Sequence, residues 1–157
     1  MSKKNTKEKK NNIFIKNRKA YHDYTFLETI VCGIVLVGTE IKSIRQSKVS
    51  FTDSYCLFID GELFLKNTHI DIYENGTYYN HEPKRNRKLL LTKKQLKKLS
   101  DELKLGGLTI VPISLFVNEK GFCKVEIALA KGKKEYQKKE DIKKKDLRRE
   151  NYHKIKM

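Results

Sequence analysis

The stretch KVEIALAKGKKEYQKK, from Lys124 to Lys139, decides how this chain is organised. In its first half Val125, Ile127 and Leu129 fall on one side of an extended backbone, and Lys124, Glu126 and Ala128 on the other. That period of two marks a strand with one buried face. Its second half is cationic and has no core of its own. Residues 131–157 hold 12 Lys and Arg against 5 acids, and Tyr136, Ile142, Leu147, Tyr152 and Ile155 are too sparse to pack together. The chain therefore reads as a folded body over 13–130 and a basic tail over 131–157, preceded by a basic, disordered segment over 1–12.

A chain of 157 residues is long enough for one real core and too short for two comfortable ones. Its net charge of +16 is unevenly spread: residues 1–19 carry +7, residues 20–130 carry +2 and residues 131–157 carry +7. Within the body, Lys84 to Lys98 supplies eight cations and no acid. A basic sector between two basic ends is the footprint of a nucleic-acid partner. The bland alternative is an inert charged surface, but patchiness favours a polyanion. No apolar run approaches the roughly 18 residues of a membrane span, and MSKKNTKEKKNN lacks the apolar centre of a signal peptide. A cytoplasmic protein with no membrane partner is expected. Cys32, Cys56 and Cys123 are widely spaced within apolar runs, which suits buried thiols in a reducing compartment rather than a metal or redox site.

The segments between the ends predict a mainly β body. Thr25 to Gly38 is rich in β-branched residues and reads as a long strand with a bulge or bend at Gly33. Thr39 can cap a short helix over Glu40 to Gln46, with Ile41 and Ile44 inward. Asp60-Gly61 joins two short strands as a hairpin. Thr92 and Gln95 fit a capping box for a helix whose buried stripe is Leu96, Leu99 and Leu103, ending at Gly106-Gly107. Leu108 to Val117 and Gly121 to Ala130 form a last antiparallel pair, with Pro112 marking an edge or a bulge. Five to six short strands with two or three short helices suit a small antiparallel barrel of the oligonucleotide-binding (OB) type.

Candidate RNA contacts follow from the cations and their neighbours. Asn17, Arg18, Lys19 and His22 lie in a run mixing amides, cations and aromatics, suited to phosphate contacts with base or sugar stacking. Lys42 and Arg45 must face out if Ile41 and Ile44 face in. Lys84, Arg85, Arg87 and Lys88 form a basic block after Pro83, and Lys131 opens the tail. Tyr73, Tyr78, Tyr79 and His81 could stack on RNA or pack on their own barrel. The tail's Glu135–Lys139, Glu140–Lys144 and Asp141–Lys145 pairs favour a helix, each by roughly 0.2–0.5 kcal/mol. That does not offset nucleation, so the free tail should be mostly coil and order against a polyanion.

Catalysis finds little support. No nucleophile elbow, glycine-rich phosphate loop, cofactor motif or metal spacing is present, so neither an enzyme nor a cofactor is expected. Asp23, Glu28, Glu40, Asp53 and Glu126 would have to converge on magnesium to make a nuclease, and nothing in their spacing recommends it.

With the segments in place, the chain resembles the SsrA-binding protein (SmpB) family along nearly its whole length. The matching stretches are NRKAYHDY from Asn17, GTEIKSIR from Gly38, FTDSY from Phe51, RKLLL from Arg87 and CKVEIALAKGKK from Cys123, with the basic tail beyond. The resemblance implies an OB-fold adaptor that binds the tRNA-like domain of transfer-messenger RNA (tmRNA) and delivers it to stalled ribosomes. It further implies a body in the place of an anticodon arm and a tail that lies as a helix in the empty mRNA channel, near the decoding centre. It assigns RNA binding to Asn17, Leu90 and Lys124. It assigns the ribosome-binding tail to Gly132, Lys133, Lys134, Tyr136, Lys138, Lys139, Lys143 and Ile155. Elongation factor Tu and alanyl-tRNA synthetase are implied as partners through tmRNA, with the protein a monomer.

Three positions depart from the family pattern. Val31 stands where the family carries an acid just ahead of the strand glycine, so that RNA contact does not carry over. Gln137 replaces the acid of the tail motif, and Leu147 replaces a frequent aromatic. The rival reading is a ribosomal or initiation-type OB protein that binds rRNA or tRNA broadly.

Overall fold

The computed structural model describes residues 13–76 and 79–156, the last seven as backbone alone. The segment 1–12, Tyr78 and the Ile155 side chain, all singled out above, lie outside this description. The elements are β1 (Phe14–Lys16), α1 (Arg18–Asp23), β2 (Tyr24–Ile34), α2 (Gly38–Arg45), β3 (Val49–Ser50), β4 (Tyr55–Ile59), β5 (Glu62–Lys66), β6 (His69–Ile70), β7 (Arg87–Leu90), α3 (Lys93–Lys104), β8 (Thr109–Val117), β9 (Cys123–Gly132) and α4 (Glu135–Lys156).

Six strands close into an antiparallel ring in the order β8-β4-β5-β7-β2-β9, with β9 returning to β8. The seventh, β1, lies on β8. β3 and β6 make a separate two-stranded ribbon. The expected bulge at Pro112 is present: the β8–β9 register slips between Pro112 and Ser114. It divides the far edge of β8, so that β4 pairs at Ile110 and β1 at Ser114 to Phe116. β8 is therefore an interior strand, and the bulge is how Pro112 is accommodated there.

The alternation in β9 holds, and Val125, Ile127 and Leu129 join Cys32, Leu63, Leu65, Leu89, Ile110 and Leu115 in the barrel core. The opposite face is less open than its pattern predicts. Ala128 and Ala130 are buried against Ala20, Val111 and Ile113, because α1 packs over that part of the wall. β9 also runs two residues past Ala130, pairing Gly132 with Tyr24, so the strand ends at Gly132. Gly33 is in regular register, and the bulge of β2 falls between Phe26 and Glu28 instead.

The hairpin at Asp60-Gly61 forms with both residues at positive φ, +51° and +77°, as a tight right-twisting turn requires. α3 begins with the expected box: Gln95 N donates to Thr92 Oγ1 at 3.2 Å, and Thr92 N donates to Gln95 Oε1 at 3.0 Å. Leu99 is fully buried, and Leu96 and Leu103 pack against the core. Capping of α2 differs from expectation. The helix begins at Gly38, and Glu40 accepts from Val37 N at 2.9 Å. The Thr39 hydroxyl goes to His81 Nδ1 at 2.9 Å. Ile70 O, 2.9 Å from His81 Nε2, can only accept, so Nε2 carries the proton and in the neutral ring Nδ1 accepts from Thr39.

Glu40 and Arg87 are both fully buried and form a charged centre beneath α2. Arg87 Nε donates to Glu40 Oε2, Nη1 to Thr68 O at 2.7 Å and Nη2 to Pro83 O at 3.0 Å. Arg85 Nη2 donates to the other Glu40 oxygen at 2.6 Å. Burial alone would raise the Glu40 carboxyl, but the bonds from Arg85 and Val37 and the Arg87 charge outweigh it and hold it below the usual range. This pair ties the Gly38 helix to β7.

Candidate RNA interface

Strand register lines up one row of positions across five strands. Leu90 of β7 faces Gly33 of β2, Gly33 faces Lys124 of β9, Lys124 faces Phe116 of β8, and Phe116 faces Phe14 of β1. Neighbouring strands lie about 4.8 Å apart, so the row crosses roughly 19 Å of the outer wall. Its sequence neighbours Leu89, Cys32, Val125 and Leu115 point into the core, which fixes the row as outward. Leu90 is 52% exposed and Phe14 is 62% exposed. The Phe14 and Phe116 rings stack at 6.3 Å.

Gly33 makes the row continuous. A Cβ there would sit 3.3 Å from both Cβ and Cδ1 of Leu90, so the missing side chain lets Leu90 lie across β2. A groove of about 220 Å³ opens beside it, lined in part by Ile41, Arg45, Leu90, Phe122 and Lys124. Apolar and aromatic faces set beside two cations can take bases or sugars and their phosphates together. Phe14, Phe116 and Phe122 were not named as RNA contacts from the sequence. Their only signal there is aromatics flanking β-type runs, and only the register shows that two of them continue the Lys124 row.

The other expected contacts divide. Arg18, Lys19, Lys42, Arg45, Lys84 and Lys131 are exposed, and His22 is half-buried. Lys19 lies 3.6 Å from Asp53, with both side chains well exposed. Lys42 sits over the Tyr73 ring at 5.3 Å, and Asn80 Nδ2 donates to Tyr73 O at 2.8 Å, so Tyr73 and His81 pack on the body while Tyr79 points to solvent. Lys88 donates to Glu62 at 2.8 Å.

Three expectations need correction. Arg87 is not an exposed RNA contact, because all its accessible surface is lost to the Glu40 centre. Arg85 is largely spent on the same carboxylate. Asn17 is buried, with Nδ2 donating to Pro112 O at 2.7 Å and Oδ1 accepting from Ala20 N at 3.3 Å. It caps α1, the helix that carries Arg18 and Lys19, and secures it to the β8 bulge.

The tail is helical in the structure, as α4. Ile142 and Leu147 remain about half exposed, so among the described side chains no apolar burial holds this helix. Its root does. Lys133 N donates to Asp23 O at 2.8 Å, and Lys134 N donates to Gln137 Oε1 at 3.1 Å. The latter closes the first turn and shows that Gln137 retains a back-capping acceptor. Tyr136 is 57% exposed, and Lys134, Lys139 and Lys143 face solvent.

The five carboxylates considered for metal do not converge. Asp23 meets Lys138, Glu28 meets Lys98, Asp53 meets Lys19, Glu40 meets the two arginines, and Glu126 accepts from Ser114. Among the described residues no three His, Cys, Asp or Glu side chains group as a metal site. Burial pushes the Cys32 and Cys123 thiols up to about 12, Lys124 offsetting part of the rise at Cys32, and raises Cys56 as well. These are inert packing groups. No helix among the described residues is long and apolar enough to cross a membrane.

Comparison with known proteins identifies the family. The family model described as SmpB protein matches residues 14–157. The chain belongs to the SmpB family. An SsrA-binding protein of Phocaeicola vulgatus is 57% identical over 138 residues, covering 88% of this chain and 92% of its own. That of Cytophaga hutchinsonii is 56% identical over 145 residues, covering 92% and 95%. A solved chain from work described as "tmRNA-SmpB: a journey to the center of the bacterial ribosome" superposes with a TM-score of 0.67 at 50% identity, covering 78% of this chain and 86% of that one. The SmpB match spans both the barrel wall and the tail, so the row through Lys124 and helix α4 belong to one family unit.

Proposed function

We propose that this SmpB-family chain is an RNA-binding adaptor of trans-translation. It binds the tRNA-like domain of tmRNA and carries it to stalled ribosomes, and it is not an enzyme. The observation that carries the reading is the outward row Leu90–Gly33–Lys124–Phe116–Phe14, an uncovered RNA-suited wall on a closed barrel whose family relatives are SsrA-binding proteins. Rigid presentation of such a wall favours recognition of one folded RNA by shape, while the cations supply salt-dependent affinity.

The tail then enters the empty mRNA channel with Tyr136 near the decoding centre, and the α4 helix is the form it takes there. Elongation factor Tu and alanyl-tRNA synthetase meet the protein through tmRNA. The protein works as a monomer in the cytoplasm. The test is competition: the tRNA-like end of tmRNA should displace a labelled copy of itself far better than bulk elongator tRNA does. Equal displacement would favour a general rRNA- or tRNA-binding OB protein.

A further inference from the structure

Two ion pairs cross at the junction of barrel and tail. Asp23, the last residue of α1, lies 3.6 Å from Lys138 Nζ in the first turn of α4. Lys133 Nζ donates to Asp141 Oδ2 at 2.6 Å and to Tyr21 O at 3.2 Å. Lys138 and Asp141 are three residues apart, so both look from the same face of α4 toward the body. The charges alternate: the body offers a carboxylate to a helix cation, and the linker offers a cation to a helix carboxylate. The Lys133 hydrogen bond holds the Asp141 carboxyl below its usual range.

We propose that Asp23 is a positioning residue: acting through Lys138, it sets the direction in which α4 leaves the barrel, an inference that rests on the adaptor reading above. Only two residues, Lys133 and Lys134, separate β9 from α4, and Gly132 has open space where a Cβ would stand. The Lys133 N–Asp23 O bond pins the start of this linker, and beyond it the exit angle is left to side chains. The Asp23–Lys138 pair is suited to that, since the two side chains are only 26% and 24% exposed. Glu135, the other acid near Lys138, is 3.9 Å away and 84% exposed, which leaves it little hold. Asp23 sits on the same helix as Arg18 and Lys19, so docking of the body and aim of the tail share one rigid element.

The experiment uses full-length chains carrying Asp23→Asn, Asp23→Glu, Glu135→Gln, Lys138→Gln and the double variant Asp23→Asn with Lys138→Gln. Each is assayed for affinity to tmRNA, for peptide tagging on stalled ribosomes and for the rRNA protection footprint of the tail. Asp23→Asn should keep tmRNA affinity, lower tagging by about threefold to tenfold, the scale of one partly buried ion pair, and blur the footprint. Asp23→Glu should restore most of the loss, and Glu135→Gln should behave as wild type. Lys138→Gln should cost less in the Asp23→Asn background than alone. Additive losses, an equal loss in Glu135→Gln, or a loss of tmRNA affinity in step with tagging would overturn the proposal. Failure of the unaltered chain to support tagging at all would instead overturn the adaptor reading.

Discussion

Leu90 packs against the bare backbone of Gly33, its Cβ and Cδ1 each 3.3 Å from where a Cβ would stand. A methyl group at position 33 would press Leu90 away from β2. Leu90 is half exposed and can yield, so Gly33→Ala should cost little stability, about 1 kcal/mol or less. It should nonetheless weaken tmRNA binding clearly, because the row is interrupted between Leu90 and Lys124. Urea midpoints and RNA titrations on the same samples separate the two effects.

Lys124 and Leu90 should fail in different ways. Lys124→Ala should lower tmRNA affinity and reduce the log–log salt slope by roughly 0.7–0.9, the signature of one lost phosphate contact. Leu90→Ala should lower affinity and leave the slope unchanged, since it removes contact area without charge. Titrations between low and moderate salt decide it.

Glu40→Gln should be severe. It leaves the fully buried Arg87 without its counter-charge, at a cost of roughly 3–5 kcal/mol. The Gly38 helix should loosen with it, which is visible as faster amide exchange over 38–45. A variant that unfolds at the wild-type denaturant midpoint would show the centre to be dispensable.

The same carboxylate sets an acid limit. Its folded-state pKa lies below the ordinary value, so its contribution is complete above the unfolded pKa, about 4.3, and is lost as pH falls through the folded one. Thermal unfolding of the wild type should therefore drop steeply below about pH 4. Glu40→Gln should show a shallower drop over the same window.

Removing residues 133–157 should leave thermal unfolding of the barrel and most tmRNA affinity unchanged while abolishing tagging. The cut belongs after Gly132, because Lys131 and Gly132 still pair with Thr25 and Tyr24. A truncated chain that tags stalled ribosomes would remove the tail from the mechanism.

Much of this fold is legible in the residues themselves. The alternation of Val125, Ile127 and Leu129, the Asp60-Gly61 turn and the Thr92–Gln95 box are local signals, and local geometry honours them. What is not legible depends on partners distant in sequence. Arg87 looks like its neighbours in a basic block, and only a carboxylate 47 residues upstream turns it inward. Asn17 looks like a contact and is a cap, because the bulge at Pro112 brings an acceptor to it. The Lys124 row is half visible: Leu90 and Lys124 come through family likeness, whereas Phe14 and Phe116 need the register of β1 on β8. What seats α4 on the body escapes a reading from composition, because it pairs Lys138 with Asp23, which is distant in sequence.

Ring closure has a consequence for solubility. Each of the six ring strands has a neighbour on both sides, and the seventh strand of that sheet, β1, is only three residues long. The bare Phe14 therefore sits on an edge of three residues, too short to template a long intermolecular ladder.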